Sequence, residues 1–291
     1  MSCLFVDQLT VIDCAFLDVQ RGLVGESYIV DVELEGELDA QSMVFDFSAV
    51  KKQLKRHIDA AIDHRLLVPM GAPELLQQLE GEAVRLLFRA DVGAIEYRAP
   101  DFAVARIDAP EIDAEVVAAH LQPALAPLLP DNVETLRLHL RSEAIDGAYY
   151  HYTHGLRKHD GPCQRLAHGH RSRLQVDIDG LRAAAIEQHW ALRWTDIHLA
   201  SAADLVARAN GRVALAYESR EGRYELTLPE SRVELFERDT TVECIAEHLA
   251  TQIAAGHPGA VVSVRAYEGV NKGARATARS APSDSQLSRP H

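Results

Sequence analysis

The run His151-Tyr152-Thr153-His154 … Cys163-Gln164-Arg165-Leu166-Ala167-His168-Gly169-His170 gathers imidazoles and a thiol into one short stretch of chain. His168 and His170 differ by two, so on an extended strand both rings project from one face. His154 lies upstream and reaches that face from a neighbouring strand. Three histidine ligands with a fourth position left open describe a catalytic zinc site rather than a structural one. The thiol of Cys163 beside them is a candidate nucleophile, or a base once ionised.

The elements that must position these groups occur twice. Val84, Leu86, Gly93, Glu96, Pro100 and Val104 match Val213, Leu215, Gly222, Glu225, Pro229 and Val233 at a constant offset of 129. Each copy reads as a hairpin (83–99 and 212–228), a further strand and a helix, so the chain is a tandem duplication. Ser27–Leu34 corresponds to Arg171–Ile178, and Gly36 to Gly180. The alternating strand Leu136–Glu143 corresponds to Val261–Glu268, both ending in glutamate. The expected units are 1–146 and 147–271, with a polar, Pro- and Ser-containing tail, 272–291, expected to be disordered. In the first unit, strands are expected near 4–12 and 26–36. A helix follows over about 48–62, with Val50, Leu54, Ile58 and Ile62 inward, and a second over about 112–122 ends near Pro123. In the second unit, Thr240-Thr241-Val242-Glu243 has the form of a capping box.

At 291 residues and 47% apolar composition, the chain can bury two cores. Its formal net charge of −13 opposes phosphate-backbone binding and argues against a nucleic-acid partner. A local cluster of Arg157, Lys158, Arg171 and Arg173 leaves room for a small anionic substrate. No apolar stretch is long enough for a membrane span. The four cysteines at irregular spacing do not read as a disulfide framework, and the N-terminus lacks signal-peptide features; a cytoplasmic protein with reduced thiols is expected.

His, then Cys-x-Arg-Leu, then His-Gly-His on a strand resembles the 6-pyruvoyl- and 6-carboxy-tetrahydropterin synthase family, as do Met43–Phe47 and Asp63-His64-Arg65-Leu66-Leu67. The resemblance implies an α+β fold of two tandem T-fold units. Each would be an antiparallel sheet with helices on one face, and the sheets would join into barrels with sites between units. It implies zinc on His154, His168 and His170, and proton transfer by Cys163, Asp63 and His64. Glu268 or Glu143 would grip the pterin ring. The implied substrate is 7,8-dihydroneopterin triphosphate, held through Arg157, Lys158 or Arg171. The Cys-x-Arg-Leu start is similar to the 6-carboxy branch, which feeds 7-deazaguanine (queuosine) synthesis. Six T-fold units in two stacked rings imply a homotrimer of two-unit chains.

The first unit departs from this pattern. Its counterpart of His-Gly-His is Val24-Gly25-Glu26, and Cys14-Ala15 stands near the first ligand position, so that unit should bind no zinc. The second unit keeps the metal set but has only Asp196-Ile197-His198, one residue too long, in place of Asp-His, and its helix near 181–190 is expected to be shortened. The expectation is one composite site, with metal and thiol from one unit and Asp63-His64 from the other. Two alternatives remain: a different reaction on the same scaffold, such as aldolase chemistry, and a non-catalytic pterin- or purine-binding protein.

Overall fold

A computed structural model describes residues 1–281. Two long antiparallel strands, β1 (Ser2–Asp18) and β2 (Gly22–Gly36), open the chain. They pair from Ser2 opposite Gly36 to Asp18 opposite Gly22, well beyond the limits expected from alternation alone. Helix α1 (Phe47–Ile62) begins where the Asp46 side chain accepts the Ser48 N–H. Its Val50, Leu54, Ile58 and Ile62 form the buried stripe that the four-residue recurrence predicts. Next come β3 (Leu66–Pro69), β4 (Leu75–Glu80), β5 (Ala83–Ala90), β6 (Gly93–Pro100) and β7 (Val104–Ile107). Helix α2 (Ala114–Leu125) and β8 (Val133–Ser142) complete the first unit. The first sheet runs β7-β3-β1-β2-β8, with both helices packed on one face over Val30, Val32 and Leu34. Helix α2 ends near Pro123 as expected, with the proline in its last turn. Only one intrahelical bond is lost there, and the helix ends two residues later, so the local cost is small.

The second unit repeats the plan with β9 (Tyr149–His154), β10 (His168–Ile178), the two-residue β11 (Leu181–Arg182) and a shortened α3 (Ala184–Arg193). Strands β12 (Ile197–Ser201), β13 (Leu205–Ala209), β14 (Arg212–Ser219), β15 (Gly222–Pro229) and β16 (Val233–Phe236) follow. Helix α4 (Val242–Ala255), β17 (Val261–Tyr267) and β18 (Gly273–Arg279) end it. Its sheet runs β16-β12-β9-β10-β17-β18. The cap of α4 is Thr241, whose side chain accepts the Cys244 N–H, one residue later than the capping-box reading. Strand β18 pairs with β17 from Tyr267 opposite Gly273 to Val261 opposite Arg279. The tail expected from 272 is therefore a strand at its start, and 282–291 lies outside the described residues.

The inserted hairpins of the two units meet. Strands β13-β14-β15-β6-β5-β4 form a third sheet, joined across the units where Leu226 faces Tyr97. Its apolar face buries Phe88, Tyr97, Tyr217 and Leu226 against the ends of β1 and β2. The first two sheets touch each other at Gly25 and Gly169. A Cβ on Gly25 would stand 1.9 Å from the Tyr152 carbonyl oxygen, and one on Gly169 would stand 2.7 Å from the Gly25 Cα. Backbone meets backbone there, which explains why glycine persists in both units while the flanking imidazoles persist in one. No described helix is long and apolar enough to cross a membrane.

Candidate metal centre and the groups beside it

Strands β9 and β10 pair with His154 directly opposite His168, and His170 two residues along shares the His168 face. All three rings are buried to within 1% exposure. Their ring centroids lie 4.5–5.6 Å apart, and one nitrogen from each falls within 4.8 Å of the others. The Nδ1 atoms face outward: His154 to the Thr240 carbonyl at 2.9 Å, His168 to the Arg165 carbonyl at 2.7 Å, and His170 to Asp13 Oδ1 at 3.1 Å. The Nε2 atoms of His154 and His170 are left 3.2 Å apart. Burial first, then the neighbouring imidazoles, hold His154 and His168 well below the usual histidine range. Buried rings with Nδ1 turned outward and one nitrogen each converging are what a divalent ion requires, so the residues fit a metal.

Cys163 sits in a single tight turn (Pro162–Gln164) of the β9–β10 loop, its carbonyl bonded to the Leu156 N–H. Across from it, α1 ends at Asp63, and His64 takes the left-handed conformation with φ 54°. A non-glycine residue there is uncommon and tends to mark a functional position. The His64 N–H is held by the Asp13 carbonyl at 2.7 Å, and the ring Nδ1 lies 2.8 Å from Asp63 Oδ2. One ligand atom each from His64, Cys163 and His168 lies within 4.8 Å of the others. Burial pushes the His64 imidazole down, but the hydrogen bonds to Asp63 and Cys163 and their charges outweigh it and bring it up to about 10. The Asp63-His64 pair of the first unit and the Cys163 and imidazole set of the second thus meet inside one chain.

The two strand-end glutamates differ. Glu268 Oε1 lies 3.9 Å from His170 Nε2. Glu143 is bonded instead to Arg173, and its carbonyl takes Arg171. Arg157 and Lys158 are also committed, to Asp204 at 2.9 Å and Asp239 at 2.7 Å. Arg157, Lys158, Arg171 and Arg173 therefore all have internal partners.

The corresponding position in the first unit has become an ion pair. Ala15 faces Gly25 as Thr153 faces Gly169, so Phe16, one residue beyond Cys14-Ala15, stands where His154 does. Val24 and Glu26 replace His168 and His170. Asp196 has φ 52° and matches His64, not Asp63; it takes both Arg21 Nη2 at 2.5 Å and Nε at 3.1 Å. His198 is a core histidine bonded to Thr153 Oγ1 at 2.8 Å, and burial pushes it down to about 3.

Glu26 is a liability in that position. Burial pushes its carboxyl from the ordinary 4.5 up to about 7, against the Ser27 N–H, Arg171 and Arg21, which favour the charged form. A folded pKa above the unfolded one means a contribution fully present below about 4.5 and lost as pH rises through about 7. Glu26→Gln is expected to match the parent near pH 4.5 and to be more stable at pH 8 by about 2–3 kcal/mol. Urea denaturation at the two pH values checks this; equal stabilities at pH 8 would contradict it.

Sequence reasoning missed Asp13 and the Thr240 and Arg165 carbonyls. Carbonyl anchors leave no mark on residue identity; an acid inside the apolar run of β1 was the one available signal.

Known proteins resemble the chain in both units. A family model described as 6-pyruvoyl tetrahydropterin synthase matches residues 20–153 and again 145–279. A Pyrococcus horikoshii protein assigned as a 6-carboxy-5,6,7,8-tetrahydropterin synthase is 28% identical over 116 residues, 40% of this chain and 66% of that protein. Among solved structures, the Plasmodium falciparum 6-pyruvoyl tetrahydropterin synthase is 16% identical with a TM-score of 0.41, covering 49% of this chain and 91% of that one. The Plasmodium vivax enzyme is 22% identical with a TM-score of 0.37 over the same shares.

Proposed function

The chain belongs to the 6-pyruvoyl tetrahydropterin synthase family, as two tandem T-fold units, and from that premise we propose that it is a pterin-transforming lyase with zinc on His154, His168 and His170. The observation that supports this most is the meeting of Asp63-His64 from one unit with Cys163 and His168 from the other. Its substrate on this reading is 7,8-dihydroneopterin triphosphate or a related pterin. The name of the Pyrococcus relative and the Cys-x-Arg-Leu sequence favour the 6-carboxy product, with loss of acetaldehyde and triphosphate.

When bound, the metal supplies a Lewis acid that lowers the pKa of the substrate's side-chain hydroxyls. The protein supplies the rest. Cys163 moves a proton at the side-chain carbon next to the ring, and His64 exchanges protons on the opposite side of that side chain. Asp63 orients the His64 ring by taking its Nδ1–H, so Nε2 is the working atom. Glu268, on the metal side, accepts hydrogen bonds from the pterin amino group and ring N–H. Burial of the three imidazoles keeps bulk water from competing for the reacting groups.

Assembly follows from the edges. Among the described residues, strands β8 and β18 each have one neighbour in their sheets, and such edges invite pairing with another copy. A trimer of two-unit chains is the reading they support, and light scattering on the eluting protein measures it.

The function is tested by metal analysis with product mass. About one zinc per chain is expected, together with conversion of 7,8-dihydroneopterin triphosphate to the 6-carboxy product. A protein that binds pterin without changing its mass sinks the lyase reading.

A further inference from the structure

Among the described residues, His170 alone of the three histidines has a side-chain acid behind it, and that acid comes from the other unit. Asp13 lies on β1, buried, with Oδ1 3.1 Å from His170 Nδ1. The contact is at ion-pair distance, and His170 Nδ1 has no other partner among the described residues. We propose that Asp13 is a positioning residue of the metal centre, a carboxylate contributed by the metal-free unit that sets the tautomer and tilt of His170. This rests on the metal reading above.

The carboxylate is held from several sides. Ser27 Oγ donates to Oδ1 at 2.6 Å, and Lys272 Nζ donates to Oδ2 at 3.0 Å. Gly269, with φ +71°, closes over it so tightly that a Cβ would stand 2.5 Å from Oδ1. The backbone of Asp13 serves the other half of the site. Its N–H donates to Asp63 Oδ1 at 2.9 Å, and its carbonyl accepts the His64 N–H at 2.7 Å. Asp13 therefore ties the proton-transfer pair and the metal ligands to a single point. A carboxylate behind a ligating imidazole fixes which nitrogen is free and raises its basicity, whereas the carbonyls behind His154 and His168 carry no full charge.

Cobalt(II) serves as the probe, since its visible bands report ligand geometry while a chelator competition reports affinity. Asp13→Asn, close in shape but uncharged, is expected to bind cobalt about 10–100-fold more weakly with shifted bands. Asp13→Glu is expected to recover part of the affinity. A folded Asp13→Asn protein with affinity within about twofold of the parent and unchanged bands overturns the proposal. Should Asp13→Asn fail to fold, Ser27→Ala, which releases Oδ1, carries the same test: weaker cobalt binding supports the proposal and unchanged binding overturns it. A parent protein that takes up no cobalt defeats the metal reading itself, and this proposal with it.

Discussion

His168→Ala is expected to empty the metal centre and to lower turnover more than the loss of Cys163 or His64 alone. His168 belongs to both groups of converging side chains, with His154 and His170 on one side and with His64 and Cys163 on the other. Its removal leaves two imidazoles, too few to hold a divalent ion against water, and removes the wall that the His64 ring packs on at 4.9 Å. Metal content is expected to fall from about one ion per chain to near zero. Turnover is expected to fall by about 10^4-fold, the upper end for losing a proton-transfer group, because the ion and the support of that group go together. His57→Ala, on the exposed face of α1, is the matched control and should change neither. Elemental analysis of the purified variant gives the answer directly. A His168→Ala protein still carrying a full equivalent of zinc would mean that the ion, if any, sits elsewhere.

Much of this site was legible in the sequence because its signals are local. His168 and His170 announce themselves through the two-residue period of a strand, and the pairing with β9 follows from the tendency of successive strands to lie side by side. The duplication was legible through glycine and proline, since turn positions tolerate few alternatives. The joining of β6 to β15 was not legible. Both hairpins were read correctly, but a strand's pattern specifies which face is buried, not which strand lies beside it. The same limit explains Phe16: an apolar residue among apolar residues gives no register, and pairing fixes the match one position further on. Asp196 misled for a related reason. Sequence aligns Asp-Ile-His with Asp-His by identity, whereas the backbone aligns Asp196 with His64 by their shared left-handed conformation. Asp13 shows the deeper difficulty: its importance lies in a contact with a residue from the other unit, and no window of sequence contains both.

The division of the site between units gives the sharpest remaining test. Cys163→Ala and His64→Gln are each expected to lower turnover by about 10^3-fold, within the range for a single proton-transfer group. Both are expected to leave zinc content near the parent value, since neither supplies one of the three converging imidazoles. The double variant decides whether they act as one unit. Two independent contributions would multiply, taking turnover down about 10^6-fold. Two groups that pass a proton along one path, with Asp63 orienting the His64 ring, fail together once either is gone. The expected result is a double variant no worse than about tenfold below either single one. Because Cys163 lies in the second unit and His64 in the first, that non-additivity would measure a coupling between the units themselves. Full multiplication of the two losses would mean that thiol and imidazole work separately. A His64→Gln enzyme with near-parent turnover would remove the first unit from the chemistry and leave it a scaffold for the second.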